Sequence, residues 1–244
     1  MENDWWFDFF DDVYGDFILH TFNDDEIKNS INYLVKKFEI NEKTKIYDQC
    51  CGKGSMAIPL LEKTNNIYGC DIIPSYIAHI KSVTDNGVFE VYDAKKYMPK
   101  EKVDVVINWH TSFGYSKNND ENIEMLKKAY ESLKKDGVFI LGYINFEFVV
   151  KNFEKKMVVN KIINNKKITL ERFSSFENGM LKQKWSIIEI PEWEKIGETK
   201  IYFENDLLNI FENIGFRSIK VFYDLKESYE AKRFSPKMYI VAYK

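Results

Sequence analysis

The sequence predicts a doubly wound α/β domain, and three observations predict it. Short apolar runs alternate with helix-like stretches through residues 45–143, a glycine-containing turn follows the first run, and acidic residues close successive runs. The first run, Lys45–Tyr47, leads into Asp48-Gln49-Cys50-Cys51-Gly52-Lys53-Gly54-Ser55. Further runs stand at Asn66–Cys70, Val88–Tyr92 and Val103–Asn108. Their continuous apolar character suits strands buried on both faces of a parallel sheet. Between Asp120 and Lys135, Ile123, Leu126, Ala129, Tyr130 and Leu133 recur at helical spacing. Asp136-Gly137 then ends that helix before a strand at Val138–Tyr143.

From Phe146 to Ile201 the pattern changes to alternating β-branched and aromatic residues around Asn164-Asn165, Asn178-Gly179 and Pro191. This predicts an inserted, hairpin-rich subdomain over residues 146–201, the kind of insertion that carries substrate contacts. The chain resumes with a helix at Glu204–Ile214 ended by Gly215, a strand at Phe216–Tyr223 and a last strand at Met238–Ala242. Ahead of the first strand, residues 1–40 predict a helical cap. There Trp5, Trp6, Phe9, Phe10 and Tyr14 recur at helical spacing, the pattern of a core-facing stripe. With no repeat or linker to divide them, the 244 residues read as one domain, 1–244.

Bulk chemistry narrows the partners. A formal charge of -3, from 35 basic and 38 acidic residues, provides no field to hold DNA or RNA. Cys50, Cys51 and Cys70 form no CxxC pair and no histidine cluster accompanies them, so neither a disulfide framework nor a metal site is expected. Residues 1–17 lack the basic start of a secretory signal, and the longest apolar stretches are too short to span a bilayer. A cytoplasmic monomer or homodimer acting on a small molecule is the expectation, with no membrane or nucleic-acid partner.

The ligand chemistry is concentrated at strand ends. Gly52, Gly54 and Ala57 satisfy the loose glycine pattern of dinucleotide binders, so the glycines alone do not choose a cofactor. Asp48 discriminates: a carboxylate four residues before the first glycine attracts an ammonium and repels a pyrophosphate. Asp71 closes the second run, where it can accept from both hydroxyls of a ribose, and Asp93 closes the third, within reach of an adenine amino group. Acids also favour turns and caps for purely structural reasons. The reading therefore rests on three acids together with the glycine turn.

These elements resemble the class I S-adenosylmethionine-dependent methyltransferase family, from Asp48 to the end of the chain with the insert aligned poorly. Asp48 to Gly54 is similar to the family's first motif, although Gln49 and Cys50 replace the usual small residues, a departure expected to affect loop packing more than cofactor choice. The stretch from Asp104 to Tyr115 resembles the fourth-strand segment of a bacterial small-molecule subgroup that includes amino-sugar N-methyltransferases. The resemblance implies a Rossmann-like seven-stranded sheet whose last strand, Met238–Ala242, is antiparallel, and S-adenosylmethionine as cofactor. Candidate cofactor contacts are Asp48, Gln49, Cys50, Gly52 and Gly54 in the first motif. Asp71 with Ile72, Asp93 with Ala94, and Asn108 complete them at later strand ends.

Methyl transfer from a sulfonium is an in-line displacement, so alignment and removal of one proton are what the protein must supply. His110, just past the fourth strand, is the candidate base near neutral pH and a candidate acceptor contact, with a turn-stabilising histidine as the alternative. His20 and His79 sit on helix-like segments and read as structural. Tyr115 is a second acceptor candidate, made reachable by Gly114, with core packing as the alternative. Enzymes of the resembled family cap the methyl-donor site with an amino-terminal tyrosine, a role that falls here on Tyr14, counted both as cofactor-binding and catalytic. The insert carries Lys155, Lys156, Lys161, Lys166, Lys167 and Arg172. This basic excess suits an anionic acceptor, such as a phosphorylated or nucleotide-linked sugar, gripped by Arg172, or else a solvated strand face. An RNA or protein methyltransferase, and a cofactor-binding regulatory module without turnover, are the other open readings.

Overall fold

Period-two alternation along each strand decides how the chain layers. The computed structural model describes residues 4–18, 24–163, 165–228 and 230–244. With strands numbered along the chain, the main sheet holds β1 (Ile46–Gln49), β2 (Ile67–Asp71), β3 (Val88–Val91), β4 (Val103–Asn108) and β5 (Leu133–Ile144). A second sheet holds β6 (Lys156–Ile163), β7 (Lys166–Glu177), β8 (Met180–Ile187) and β9 (Ile190–Lys200), after which β10 (Arg217–Phe222) and β11 (Lys237–Tyr243) rejoin the first. The main sheet thus has seven strands in the order β10-β11-β5-β4-β1-β2-β3. β11 runs antiparallel to both its neighbours, β5 and β10, while the other pairs are parallel.

On one face Tyr47, Val106, Phe139 and Leu141 cluster with Leu126 and Ala129 of helix α5 (Asn119–Ser132) and with Leu207 and Phe211 of α7 (Glu204–Ile214). Their strand neighbours Ile46, Val105, Ile107 and Ile140 face the other way, toward Ile31 and Leu34 of α2 (Asp24–Lys37) and Ile77 and Ile80 of α4 (Pro74–Val83). Both faces are covered, which is why these strands read as continuous apolar runs. Among the described residues, no helix is long and apolar enough to cross a membrane.

Three local expectations are corrected. α5 ends at Ser132 rather than Lys135, because the next backbone is claimed by the sheet: Leu133 pairs with Val103, and Asp136 and Gly137 exchange bonds with Lys244. Pro191 lies inside β9, the turn being Ile188-Glu189. As β9 is an edge strand, the missing N–H costs no central ladder bond. The amino-terminal aromatics do not share one helix. Helix α1 spans only Trp6–Phe9, and Tyr14 opens a single π-helical turn, Tyr14–Ile18. The break is set by Asp11, whose carboxylate accepts the Tyr14 N–H at 2.8 Å in place of a helical carbonyl. His20 lies outside the described residues.

The insert is an antiparallel meander, β6-β7-β8-β9. Asn178 and Gly179 both take positive φ, 51° and 74°, as a tight hairpin turn demands. Ile168, Leu170, Ile187 and Trp193 from this sheet cluster with Ile18, against which Val13, Tyr14 and Phe17 pack. The amino-terminal segment therefore lies between the two sheets' territories.

Close packing is most severe at Gly142 in β5. A Cβ there would stand 2.1 Å from the Trp109 carbonyl oxygen, which belongs to the chain leaving β4. Backbone does not swing aside as a flexible side chain does, so Gly142→Ala is expected to destabilise the fold by about 3 kcal/mol. Chemical denaturation reads this as a lower midpoint at unchanged slope. A loss below about 1 kcal/mol would mean that the turn at Trp109 yields freely.

Candidate active site

β2 and β3 lie to one side of β1 and β5 beyond β4, so the winding of the sheet reverses between β1 and β4. Ligand sites of such sheets open at the carboxyl ends of the strands beside that reversal. A cavity of about 720 Å³ lies there, within the usual size range of small-molecule sites. Its wall takes residues from every strand end named by the sequence: Cys50 to Ser55 after β1, Asp71 to Ile73 after β2, Tyr92 to Lys95 after β3, and His110, Ser112, Gly114 and Tyr115 after β4. Trp6, Phe10 and Tyr14 close it from the amino-terminal segment.

The loop after β1 is built by left-handed backbone at Cys50 (φ 60°), Gly52 (φ 56°) and Gly54 (φ 84°). At Gly54 any side chain would also meet Ile58, 2.9 Å from an ideal Cβ. Cys50 holds the same conformation without being glycine, at a cost of about 1–2 kcal/mol that the surrounding packing offsets. Asp71 clamps this loop: one carboxylate oxygen accepts the Gly52 N–H at 2.9 Å, the other the Ile73 N–H at 3.0 Å. Burial pushes the Asp71 carboxyl up, and these backbone bonds pull against that push. Asp93 is held likewise, accepting the Lys95 N–H at 2.9 Å.

Asp48 lies under the loop rather than in the cavity wall, only 3% exposed. Its Oδ2 has no hydrogen-bond partner among the described residues. Burial first, and the nearby Asp71 carboxylate second, push its pKa to about 8, with the Ala57 N–H opposing. A buried carboxylate with an orphaned oxygen is costly unless a positive group approaches it.

Gln49 and Asn108, expected to touch the cofactor, are likewise absent from the cavity wall. The Asn108 amide donates to Gln49 Oε1 at 3.2 Å, and the Gln49 amide donates to the Met125 carbonyl at 3.1 Å. They join β1, β4 and α5 beneath the site, which explains why Gln49 stands where small residues are usual. Arg172 is also outside the wall. It sits on β7 with its guanidinium 5.6 Å from the Trp185 ring centroid, and its buried Nε has no partner among the described residues.

His110 is in the wall, but burial, reinforced by Lys237, pushes its pKa down to about 3. It is therefore a neutral imidazole at physiological pH, suited to accept a hydrogen bond. The Tyr115 hydroxyl donates to the Thr111 carbonyl at 2.8 Å, while its ring meets Trp5 and Phe10 at centroid distances of 5.1 and 5.6 Å. Tyr14 packs on Phe9 and Phe10 at the same mouth. His79, read as structural, lies exposed on α4 at the rim of the cavity. Sequence reasoning missed Trp6 and Lys95, whose ammonium stands 5.4 Å from the Trp6 ring and bonds Glu121. The only sequence signal for that contact is the aromatic stripe itself.

An adenosyl donor carrying an ammonium and a sulfonium fits this set: a glycine cradle, Asp71 and Asp93 beside it, and an orphaned carboxylate oxygen below. Comparison with known proteins agrees. Residues 46–137 match the family described as methyltransferase domain. No curated protein matches the chain in sequence. Among solved structures, an S-adenosylmethionine-dependent methyltransferase from Clostridium acetobutylicum ATCC 824 superposes with a TM-score of 0.78 at 16% identity, over 97% of this chain and 98% of that one. The sugar N-methyltransferase KedS8 from Streptoalloteichus sp ATCC 53650 gives 0.74 at 11% identity, over 93% and 91%. CalS10, an amino pentose methyltransferase from Micromonospora echinaspora, gives 0.72 at 11%, over 96% and 97%. Residues 46–137 thus match a methyltransferase domain in sequence, and the chain as a whole has the fold of solved S-adenosylmethionine-dependent methyltransferases.

Proposed function

We propose that the chain transfers a methyl group from S-adenosylmethionine to a nitrogen or oxygen of a small molecule, and that this acceptor is anionic, such as a phosphorylated or nucleotide-linked sugar. The observation that carries the cofactor reading is Asp48, buried with one oxygen unpartnered among the described residues beneath the glycine loop. When bound, the cofactor supplies an electrophilic methyl on a positive sulfur. Asp48 balances the cofactor's positive end, and Asp71 holds the loop while keeping lone pairs for ribose hydroxyls. Tyr14 covers the donor with its ring, a favourable neighbour for a cation. His110 accepts a hydrogen bond from the acceptor N–H or O–H, which aims the nucleophile's lone pair and gives the proton released on methylation a path through the imidazole to solvent; alignment is most of what this displacement needs.

Support for an anionic acceptor comes from the insert, the subdomain we assign to acceptor recognition. Arg172 and Ser174 are two apart on β7 and so point to one face, and Arg172 Nε and Ser174 Oγ are both buried without partners among the described residues. A guanidinium beside a hydroxyl suits an oxyanion. The solved sugar N-methyltransferase of like fold makes a sugar amine a sensible first acceptor to try. Cytoplasmic placement belongs to the same reading and is supported by the free thiols of Cys50, Cys51 and Cys70.

Thermal shift tests the cofactor: S-adenosylhomocysteine should stabilise the chain and NAD should not. The sign with pH follows from Asp48. Below about 8 it is mostly protonated in the free protein, and the ligand's ammonium favours the ionised form, so binding releases a proton. Affinity should rise from pH 6 to pH 8, by up to about tenfold per unit, and level off above. Stabilisation by NAD alone would end the cofactor reading. For the acceptor, label transfer to phosphorylated but not neutral sugars is expected, and the opposite preference would end the anionic reading.

A further inference from the structure

Asp11 joins three parts of the molecule that have no other single residue in common among the bonds described. Its carboxylate accepts the Tyr14 N–H at 2.8 Å and the Trp193 indole N–H at 3.0 Å, and pairs with the Lys195 ammonium at 3.3 Å. Trp193 and Lys195 are alternate residues of β9, on the face that the amino-terminal segment covers. The Asp11 carbonyl accepts the Gly15 N–H at 2.9 Å and the Tyr76 hydroxyl at 3.0 Å, and Tyr76 lies in α4, directly after the strand end that carries Asp71. One residue thus meets the tyrosine over the cofactor cavity, the second sheet and the helix behind the ribose-side acid.

The rest of the amino-terminal segment is anchored without it. Lys195 also pairs with Asp8 at 3.0 Å, the Trp5 indole donates to the Tyr115 carbonyl, and Phe9 lies so close on Gly197 that a Cβ there would meet it at 2.9 Å. Those contacts hold α1 on β9, and the Tyr14 ring packs on Phe9 and Phe10, but the helix has already ended at Phe9 and none of them bonds the Tyr14 N–H. What starts the next turn is the Asp11 carboxylate. We propose that Asp11 is a positioning residue: it holds Tyr14 against the cofactor cavity and couples that placement to the second sheet through Trp193. The proposal rests on the role given to Tyr14 above.

The test is S-adenosylhomocysteine binding by calorimetry on the full chain, in a cycle of Asp11→Ala, Tyr14→Ala and the double variant. Each single change should weaken binding about tenfold, and the double should be no weaker than about tenfold, because both remove one effect. Asp11→Asn keeps an acceptor for the Tyr14 N–H and for the indole, and should return to within about threefold of the native affinity. Asp11→Ala within twofold of native, or a double variant weakened by the full product of the singles, overturns the proposal. If Tyr14→Ala alone binds normally, the capping role of Tyr14 falls; if it binds weakly while Asp11→Ala binds normally, only Asp11 is wrong. Should Asp11→Ala fail to fold, Trp193→Phe keeps the ring and removes the donor, and about threefold weaker binding is expected. Unchanged affinity in that variant overturns the coupling to the second sheet.

Discussion

Asp71→Ala is expected to weaken S-adenosylhomocysteine binding by about a hundredfold or more, the largest effect of any single substitution considered for this site. Two losses combine in it. The Gly52 and Ile73 N–H groups, now held at 2.9 and 3.0 Å by the two carboxylate oxygens, are left without their partner. Each is a charge-assisted bond to a largely buried acid, the stronger kind of hydrogen bond. The loop after β1, which carries left-handed backbone at Cys50, Gly52 and Gly54, then loses its side-chain clamp to β2 and keeps only the backbone bond from the Cys51 N–H to the Cys70 carbonyl among the loop bonds described. The ribose-side acceptor disappears in the same step. Asp71→Asn retains one acceptor oxygen and should fall between. Calorimetric titration decides it: affinity for the product cofactor within threefold of native in Asp71→Ala would show that the clamp is dispensable.

His110→Ala is expected to do the opposite, lowering kcat about ten- to a hundredfold while leaving cofactor affinity unchanged. The reasoning is geometric. His110 follows β4 in the cavity wall, whereas the glycine loop follows β1, and burial holds its pKa at about 3. An imidazole that stays neutral from pH 5 to pH 9 contributes no titration to the rate over that range, so the native kcat profile should lack a limb near 6.5 attributable to it. A limb near 6.5 that vanishes in His110→Ala would show that bound acceptor restores the ordinary pKa and that the residue works as a base after all. A variant with native turnover would remove His110 from the site altogether.

The two residues illustrate what local sequence carries. That Asp71 would close a strand beside the glycine turn was legible, because a strand end and a loop entry are defined by immediate neighbours: apolar Ile67 to Cys70 before it, the helix at Pro74 after it. That burial, with Lys237 adding to it, would push the His110 pKa down was not, since the packing around it is non-local and Lys237 comes from a strand more than a hundred residues later. Gln49 and Asn108 show the same limit. Both stand in the motif as expected, yet they are spent on each other and on Met125. Which side of a strand end faces ligand depends on the helix packed there, and α5 covers theirs. Arg172 was expected to grip the acceptor from the insert or to belong to a solvated strand face, and its position outside the cofactor wall depends on how a whole four-stranded meander is placed. The aromatic stripe at the amino terminus had helical spacing and still broke, because Asp11 offers the Tyr14 N–H a nearer acceptor than the helix does.

By itself the sequence determined the order of strands and helices, the left-handed glycine turn after β1 and the acids at three successive strand ends, all consequences of side-chain period and of backbone freedom within a few residues. Only the tertiary structure decided which of those groups face the cavity, how far burial moves Asp48 and His110 from their ordinary pKa values, and that Asp11 ties the amino-terminal segment to β9. Burial and Coulomb interaction depend on distance through space, and that distance exists only once packing has brought Trp193 and Tyr76 to Asp11, and Lys237 toward His110.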